Sequence, residues 1–169
     1  MKAYRQVWLS PIGKLYLIAS DQALVCLAFE QNREACQERL GIRELEEREN
    51  PVIGLAKLEL LEYFGGKRRT FSVPVEPRGT VFQKKVWQAL RAIPFGMTIS
   101  YGEQARDMGQ AAAVRATGTA NGRNPVAIII PCHRVVRSDG TLGGYAGGVD
   151  IKANLLELES RFPLPSPAG

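Results

Sequence analysis

The residues best suited to chemistry are Pro131-Cys132-His133-Arg134, where a thiol stands beside the chain's single histidine. A cysteine attacks as its thiolate, and nearby positive charge or a neutral imidazole base assists loss of the proton. His133 and Arg134 supply both residue types. The preceding run, Val126 to Ile130, is short and β-branched and reads as a strand buried on both faces. Pro131 offers no N–H to a ladder and fixes its own φ, so the strand stops or kinks there. Cys132 then sits where a core strand surfaces. Neighbours in extended chain point to opposite sides, so contact between Cys132 and His133 needs a turn or a bridging water. On cysteine chemistry alone, a buried and inert thiol explains the residue equally well.

The rest of the chain must position that thiol. Its 169 residues, 45% of them hydrophobic, suffice for one packed domain or two small ones. No stretch approaches the ~18 consecutive apolar residues of a membrane span, and the N-terminus lacks a signal peptide's apolar region. Cys26, Cys36 and Cys132 cannot all pair and lack metal-ligand spacing, so a metal site is not expected. A reduced, cytoplasmic protein is the expectation. The net charge of +5 is uneven: residues 1–77 hold 11 Lys/Arg and 11 Asp/Glu, whereas 78–169 hold 11 and 6, so the excess lies entirely there. Such asymmetry fits a polyanionic partner for the C-terminal part.

Tyr4 to Trp8, Lys14 to Ala19 and Ala23 to Phe29 read as three strands of an antiparallel meander, the first two joined by a turn at Ser10–Gly13. Cys26 falls in the third strand and Cys36 in a helix over Arg33 to Leu40, both as packing residues. Glu44 to Asn50 reads as a charged, solvated connection. Pro51 opens a helix to Phe64, closed by Gly65-Gly66. Lys67-Arg68-Arg69 reads as a solvated turn, and Thr70 to Val75 as a further strand. Pro74 to Gly79 marks a boundary between a 1–77 scaffold and a 78–160 domain, with 161–169 as a proline-rich, disordered tail. Thr80 caps a helix to Ile93 with an apolar stripe. Tyr101 to Met108 and Ala111 to Asn121 have helix-turn-helix spacing, which many helical hairpins share. The second helix is nearly stripped of bulk. Arg137 to Gly140 reads as a hairpin turn. Tyr145 lies among glycines at 143–148, which by themselves read as a flexible loop with a packed ring. Val149 to Ser160 forms the last helix.

The string Pro-Cys-His-Arg-Val, preceded by Asn124-Pro125 and followed by Gly-Gly-Tyr-Ala-Gly-Gly, resembles the O6-alkylguanine-DNA alkyltransferases. Phe82-Gln83 before Val86-Trp87, Ile99-Ser100-Tyr101-Gly102 and Arg115 extend the likeness, which runs from Val81 to Glu159. It implies an α/β (α+β) fold: a small ribonuclease H-like N-terminal sheet with helices, then a mostly helical, winged helix-turn-helix-like domain carrying the cysteine. It also implies a monomer that binds double-stranded DNA in the minor groove with little sequence preference and needs no cofactor. A helix is ~10–12 Å across and the minor groove ~6 Å wide, so only a slim helix could enter a widened one.

By the same resemblance Cys132 takes the alkyl group from a flipped O6-alkylguanine, or O4-alkylthymine, once per molecule. His133 acts as base through a water, oriented by Glu159. Asn124 stabilises the turn to the cysteine. Tyr101 crowds the phosphate and hydrogen-bonds the base, and Arg115 fills the vacated stack. A phosphate contact is the plainer alternative for Arg115. Ala113, Asn121 and Ser138 are implied DNA contacts. Tyr145, Ala146, Val135 and Pro131 would line the base pocket, with the Ala146 N–H facing O6. A thiol hydrolase and a non-transferring damage sensor are the alternatives. Turnover would distinguish the first, and the presence of Cys132 argues against the second.

Overall fold

The computed structural model describes residues 2–162, so 163–169, most of the expected tail, lie outside the described residues. Strand β1 (Lys2–Ser10) pairs antiparallel with β2 (Gly13–Ala19), which pairs antiparallel with β3 (Leu24–Phe29). The meander is as expected, but its far edge is not. After helix α1 (Arg33–Leu40), residues Glu44–Glu46 form β4, parallel to β1, giving the order β3-β2-β1-β4. The charged run hid a strand because an edge strand can spend charges on solvent and neighbours: Glu46 pairs with Lys2 at 2.9 Å and with Arg48 at 2.5 Å.

Helix α2 (Pro51–Phe64) starts where Asn50 accepts from the Ile53 N–H at 3.0 Å and Pro51 occupies the first turn. The expected strand at Thr70–Val75 reduces to one bridge, Val75 with Leu24. Pro74 has no donor, and the N–H groups of Ser72 and Val73 go to the buried Glu59 carboxylate at 3.0 and 2.8 Å. Arg68 compensates that carboxylate at 2.9 Å, so part of the basic triplet is structural.

Helix α3 (Val81–Arg91) carries a full capping box between Thr80 and Gln83. Trp87 donates to the Ala120 carbonyl at 2.8 Å, fastening α3 to the helix that holds Ala120. Strand β5 (Ile99–Ser100) leads into α4 (Tyr101–Asp107), and α5 (Val114–Gly122) follows. α5 begins three residues later than expected, because Ala111 and Ala112 are spent in the turn. Strand β6 (Val135–Val136) pairs parallel with β5. The turn at 137–140 is closed by Gly140 N–H to Arg137 at 2.9 Å, but it joins no second strand and so forms no hairpin. Helix α6 (Val149–Arg161) ends the described chain.

One apolar core runs through both halves, from Leu17, Leu27 and Tyr63 to Trp87, Ile130 and Leu155. A smaller cluster, including Cys26, Cys36 and Leu40, seals α1 onto the sheet's other face. No helix among the described residues is long and apolar enough to cross a membrane.

Candidate active site

Val126–Ile130 is not a strand. Val126 bridges Leu27 once, and the chain then coils so tightly that Ile128 takes φ 70°. That conformation is costly for a β-branched residue and must be imposed by its surroundings. Asn124 imposes it. Its side chain donates to the Ile130 carbonyl at 2.7 Å and accepts from the Val126 N–H at 3.0 Å, closing the segment into an arch. Polar side-chain bonds replace the ladder that apolar periodicity suggested. The arch delivers Pro131 and then a single 3₁₀ turn, Cys132–Arg134.

Cys132 is 9% exposed and lines a cavity of about 530 Å³. Tyr101, Arg115, Gly118, Tyr145 and Ala146 share that wall. Arg115 is exposed on α5, and Arg137 is the other cation of the wall, which includes no carboxylate. Burial pushes the Cys132 thiol up, while the Asn124 side chain and the Lys152 charge pull it back only in part. The thiol needs a base.

The adjacent imidazole is fully buried and makes no hydrogen bond to the thiol. His133 Nε2 meets Glu159 Oε2 at 2.6 Å, and Nδ1 has no protein partner. Burial holds His133 below its ordinary pKa against the pull of Glu159, so the ring is neutral near pH 7. With Nε2–H donating to the carboxylate, the lone pair sits on Nδ1. Glu159 also accepts from Tyr63 Oη at 2.7 Å, the Gly96 N–H at 3.0 Å, and Arg134 Nε and Nη2 at 2.9 and 3.0 Å. Burial alone would raise the Glu159 carboxyl, but His133 and Arg134 hold it well below the usual carboxylate range. Arg134 therefore neutralises Glu159, and does not serve the thiol directly as its sequence position suggested.

Lys152 is a buried cation of this site that sequence reasoning missed. It is fully buried on α6 and donates to the carbonyls of Val135 at 2.7 Å, Leu142, and Gly144 at 3.2 Å. It ties the glycine loop to the strand after the cysteine. Burial pushes its pKa down to about 8. Tyr63 was missed as well. Only an apolar α-helical stripe marks it, and its partner is 96 residues away.

The loop itself is set by close approach. A side chain at Gly143 (φ 74°) would meet Tyr101 Oη at 2.8 Å, and one at Gly147 would meet the Phe29 ring at 2.5 Å. The Tyr145 ring packs on Phe29 at 5.6 Å, which anchors the loop to the N-terminal sheet.

Three expected positions differ. Pro131 lines a separate recess with Arg69 and Phe95, away from the thiol cavity. Val135 is fully buried, its carbonyl taken by Lys152. Asn121 reaches the cavity wall, but its amide is locked in a reciprocal pair with Gln104 at 2.7 and 2.9 Å. The tight arch and the packed α4–α5 contact turn these groups inward. Ser138 is exposed beside Arg106 and Arg137, and Ala113 precedes α5 at the same face.

Fold and site together define a mixed α/β protein whose helix pair α4–α5 and glycine loop enclose a thiol-lined cavity, with a four-stranded sheet behind it. The family model of the 6-O-methylguanine DNA methyltransferase ribonuclease-like domain matches residues 3–77, and that of the same protein's DNA-binding domain matches residues 81–161. A methylated-DNA–protein-cysteine methyltransferase of Methanosarcina acetivorans is 44% identical over 156 residues, 92% of this chain and 97% of that one. The constitutive enzyme of that name from Bacillus subtilis is 42% identical over 89% of this chain and 91% of its own. The crystal structure of Mycobacterium tuberculosis O6-methylguanine methyltransferase superposes with a TM-score of 0.84 at 40% identity, covering 97% and 96% of the two chains. A Mycobacterium tuberculosis OGT in complex with DNA matches with the same score at 41% identity, over 94% of each chain. The chain belongs to the 6-O-methylguanine DNA methyltransferase family.

Proposed function

We propose that this chain repairs O6-alkylguanine in duplex DNA by moving the alkyl group onto Cys132, once per molecule. The observation that carries the reading is the buried Cys132 thiol in a cavity of about 530 Å³, opening between α5 and the 143–146 loop. That volume suits one base and not a duplex. The base must leave the stack, at a cost of a few kcal/mol. Arg115, exposed at the cavity mouth, would fill the gap. The slim, uncharged remainder of α5 suits the minor groove, and the protein would act as a monomer.

In the reaction the Cys132 proton passes through a water to His133 Nδ1, and Glu159 stabilises the resulting imidazolium. The thiolate attacks the alkyl carbon in line. A new C–S bond forms, the C–O bond breaks, and guanine departs with its electron pair. Tyr101 is held un-ionised by burial and supplies a hydrogen-bond donor to the leaving base. A thioether has no good leaving group, so the protein is consumed.

The experiment is a titration with excess O6-methylguanine duplex, followed by intact mass. Repair should stop at one event per chain, with one methyl on Cys132, and Cys132→Ser should bind DNA without transfer. Continued turnover, or a methyl on Cys26 or Cys36, would overturn the assignment.

A further inference from the structure

We infer that Cys26 and Cys36 form a second, non-catalytic thiol site, which a peroxide-class oxidant closes to an intramolecular disulfide while Cys132 stays reduced. Strand β3 presents Cys26 to the sheet's outer face, and α1 lays Cys36 and Leu40, one turn apart, on that face. The two sulfurs are 2.6 Å apart and both thiols are free. A disulfide bond is ~2.05 Å long, so little movement separates the reduced pair from the bonded one. Cys132 belongs to the other cluster, on the opposite side of the sheet.

The thiols are chemically unequal. Cys36 is held below its ordinary pKa by the hydrogen bond from Cys26 and by Arg39, against its burial. Cys26 is pushed well above, as the partner that keeps its proton. Cys132 is raised by burial. The thiolate is the species that reacts with peroxide, and Cys36, with Arg39 beside it and the more exposed of the two at 5% against 1%, leads. Its sulfur attacks one peroxide oxygen, the O–O bond breaks, and the departing hydroxide takes a proton to become water. The Cys26 sulfur then displaces hydroxide from the Cys36 sulfenic acid. The S–S bond forms and a second water is released. Two thiols lose two electrons in all, and one peroxide becomes two waters.

The pair lies against the segment that builds the active site. Cys36 Sγ is 3.6 Å from the Pro125 carbonyl, and Leu27 beside Cys26 pins the arch through Pro125 at 2.8 Å and Ala127 at 3.0 Å. The bond would staple α1 to β3 behind that arch without consuming the reactive thiol.

The test uses the full, reduced chain with one equivalent of hydrogen peroxide and no DNA. Free thiols are blocked with a maleimide in denaturant, then intact mass and linked peptides are measured. The expected result is the loss of two hydrogens, one blocked thiol at Cys132 in place of three, and a Cys26–Cys36 link reversed by a thiol reductant. The melting temperature should rise by roughly 4–10 °C, since a short loop is closed in the unfolded chain. Cys36→Ala should abolish both the mass loss and the rise, and the parent's thiol map stands alone if that variant folds poorly. Oxidation of Cys132 ahead of the pair, disulfide-linked dimers, or a link with no thermal gain would overturn the inference. None of these readouts involves alkyl transfer, so they do not depend on the proposed reaction.

Discussion

Removing the Glu159 carboxylate should cost more stability than any other single change near the thiol. It receives five donated hydrogen bonds, from Tyr63, Gly96, His133 and twice from Arg134. Counting each charge-assisted bond at ~1.5–3 kcal/mol would give well over 7 kcal/mol, but bonds to one group are not additive. The better guide is the ~3–5 kcal/mol lost when one partner of a buried ion pair is deleted. Glu159→Ala strands the Arg134 guanidinium, whose remaining anchor is the Ile93 carbonyl at 2.8 Å. At ~2–4 °C per kcal/mol for a chain of this size, its melting temperature should fall by roughly 6–20 °C. Glu159→Gln keeps the shape and one acceptor and should fall by less.

The same carboxylate predicts an acid limb. Its folded pKa is depressed, so its stabilisation is complete above the unfolded value of ~4.3 and is lost as pH falls through the folded one. Calorimetric melts between pH 7 and pH 3 should show the parent losing stability below about pH 4.3, and Glu159→Gln losing less of it. Both variants should also transfer methyl slowly at pH 7, because neither retains the negative charge that stabilises the His133 imidazolium. A Glu159→Ala protein melting within about 2 °C of the parent, or transferring at the parent rate, would refute the reasoning.

Three further outcomes follow. Lys152→Met should slow transfer at pH 7 by roughly tenfold, because it removes a charge that pulls the Cys132 thiol's pKa down. Because Lys152 loses its charge above its pKa of about 8, the gap in a pH–rate profile should narrow there; a constant gap would leave only a structural role. Asn124→Ala should lower stability by about 1–3 kcal/mol in denaturant melts, since it orphans the buried Val126 N–H and leaves the Ile130 carbonyl with the Cys132 N–H alone, and should raise the Cys132 pKa in thiol titrations. Arg115→Ala should slow repair of alkylated duplex roughly 10–100-fold, as a few kcal/mol of unstacking goes uncompensated, while the rate on a free alkylguanine base stays the same. Full recovery at saturating duplex would make Arg115 a phosphate contact only.

Much of the frame was legible because its signals are local. Asn50 with Pro51, and Thr80 with Gln83, start helices through bonds that span three residues. The strands of the meander announce themselves by composition. Two of the misreadings share one cause, a polar side chain doing work assigned to the backbone. Asn124 replaces the ladder of an apparent strand at Val126–Ile130, and Glu59 takes the N–H groups of an apparent strand at Thr70–Val75. No window of sequence reveals such a substitution, because both partners look ordinary in their own surroundings. Lys152 and Tyr63 were invisible for the same reason: a lysine on a helix is usually solvated, and a tyrosine in an apolar stripe is usually only core. Yet Asn124 and Lys152 both lie close enough to the thiol to pull its pKa down. Ile128 at positive φ, a buried lysine holding carbonyls, and a carboxylate with five donors all break local rules within one small region. Proteins tolerate such conflicts where function demands a fixed geometry. The N-terminal half reaches this region through Tyr63, which donates to the Glu159 carboxylate, and through Phe29, which packs on the Tyr145 ring of the loop lining the Cys132 cavity.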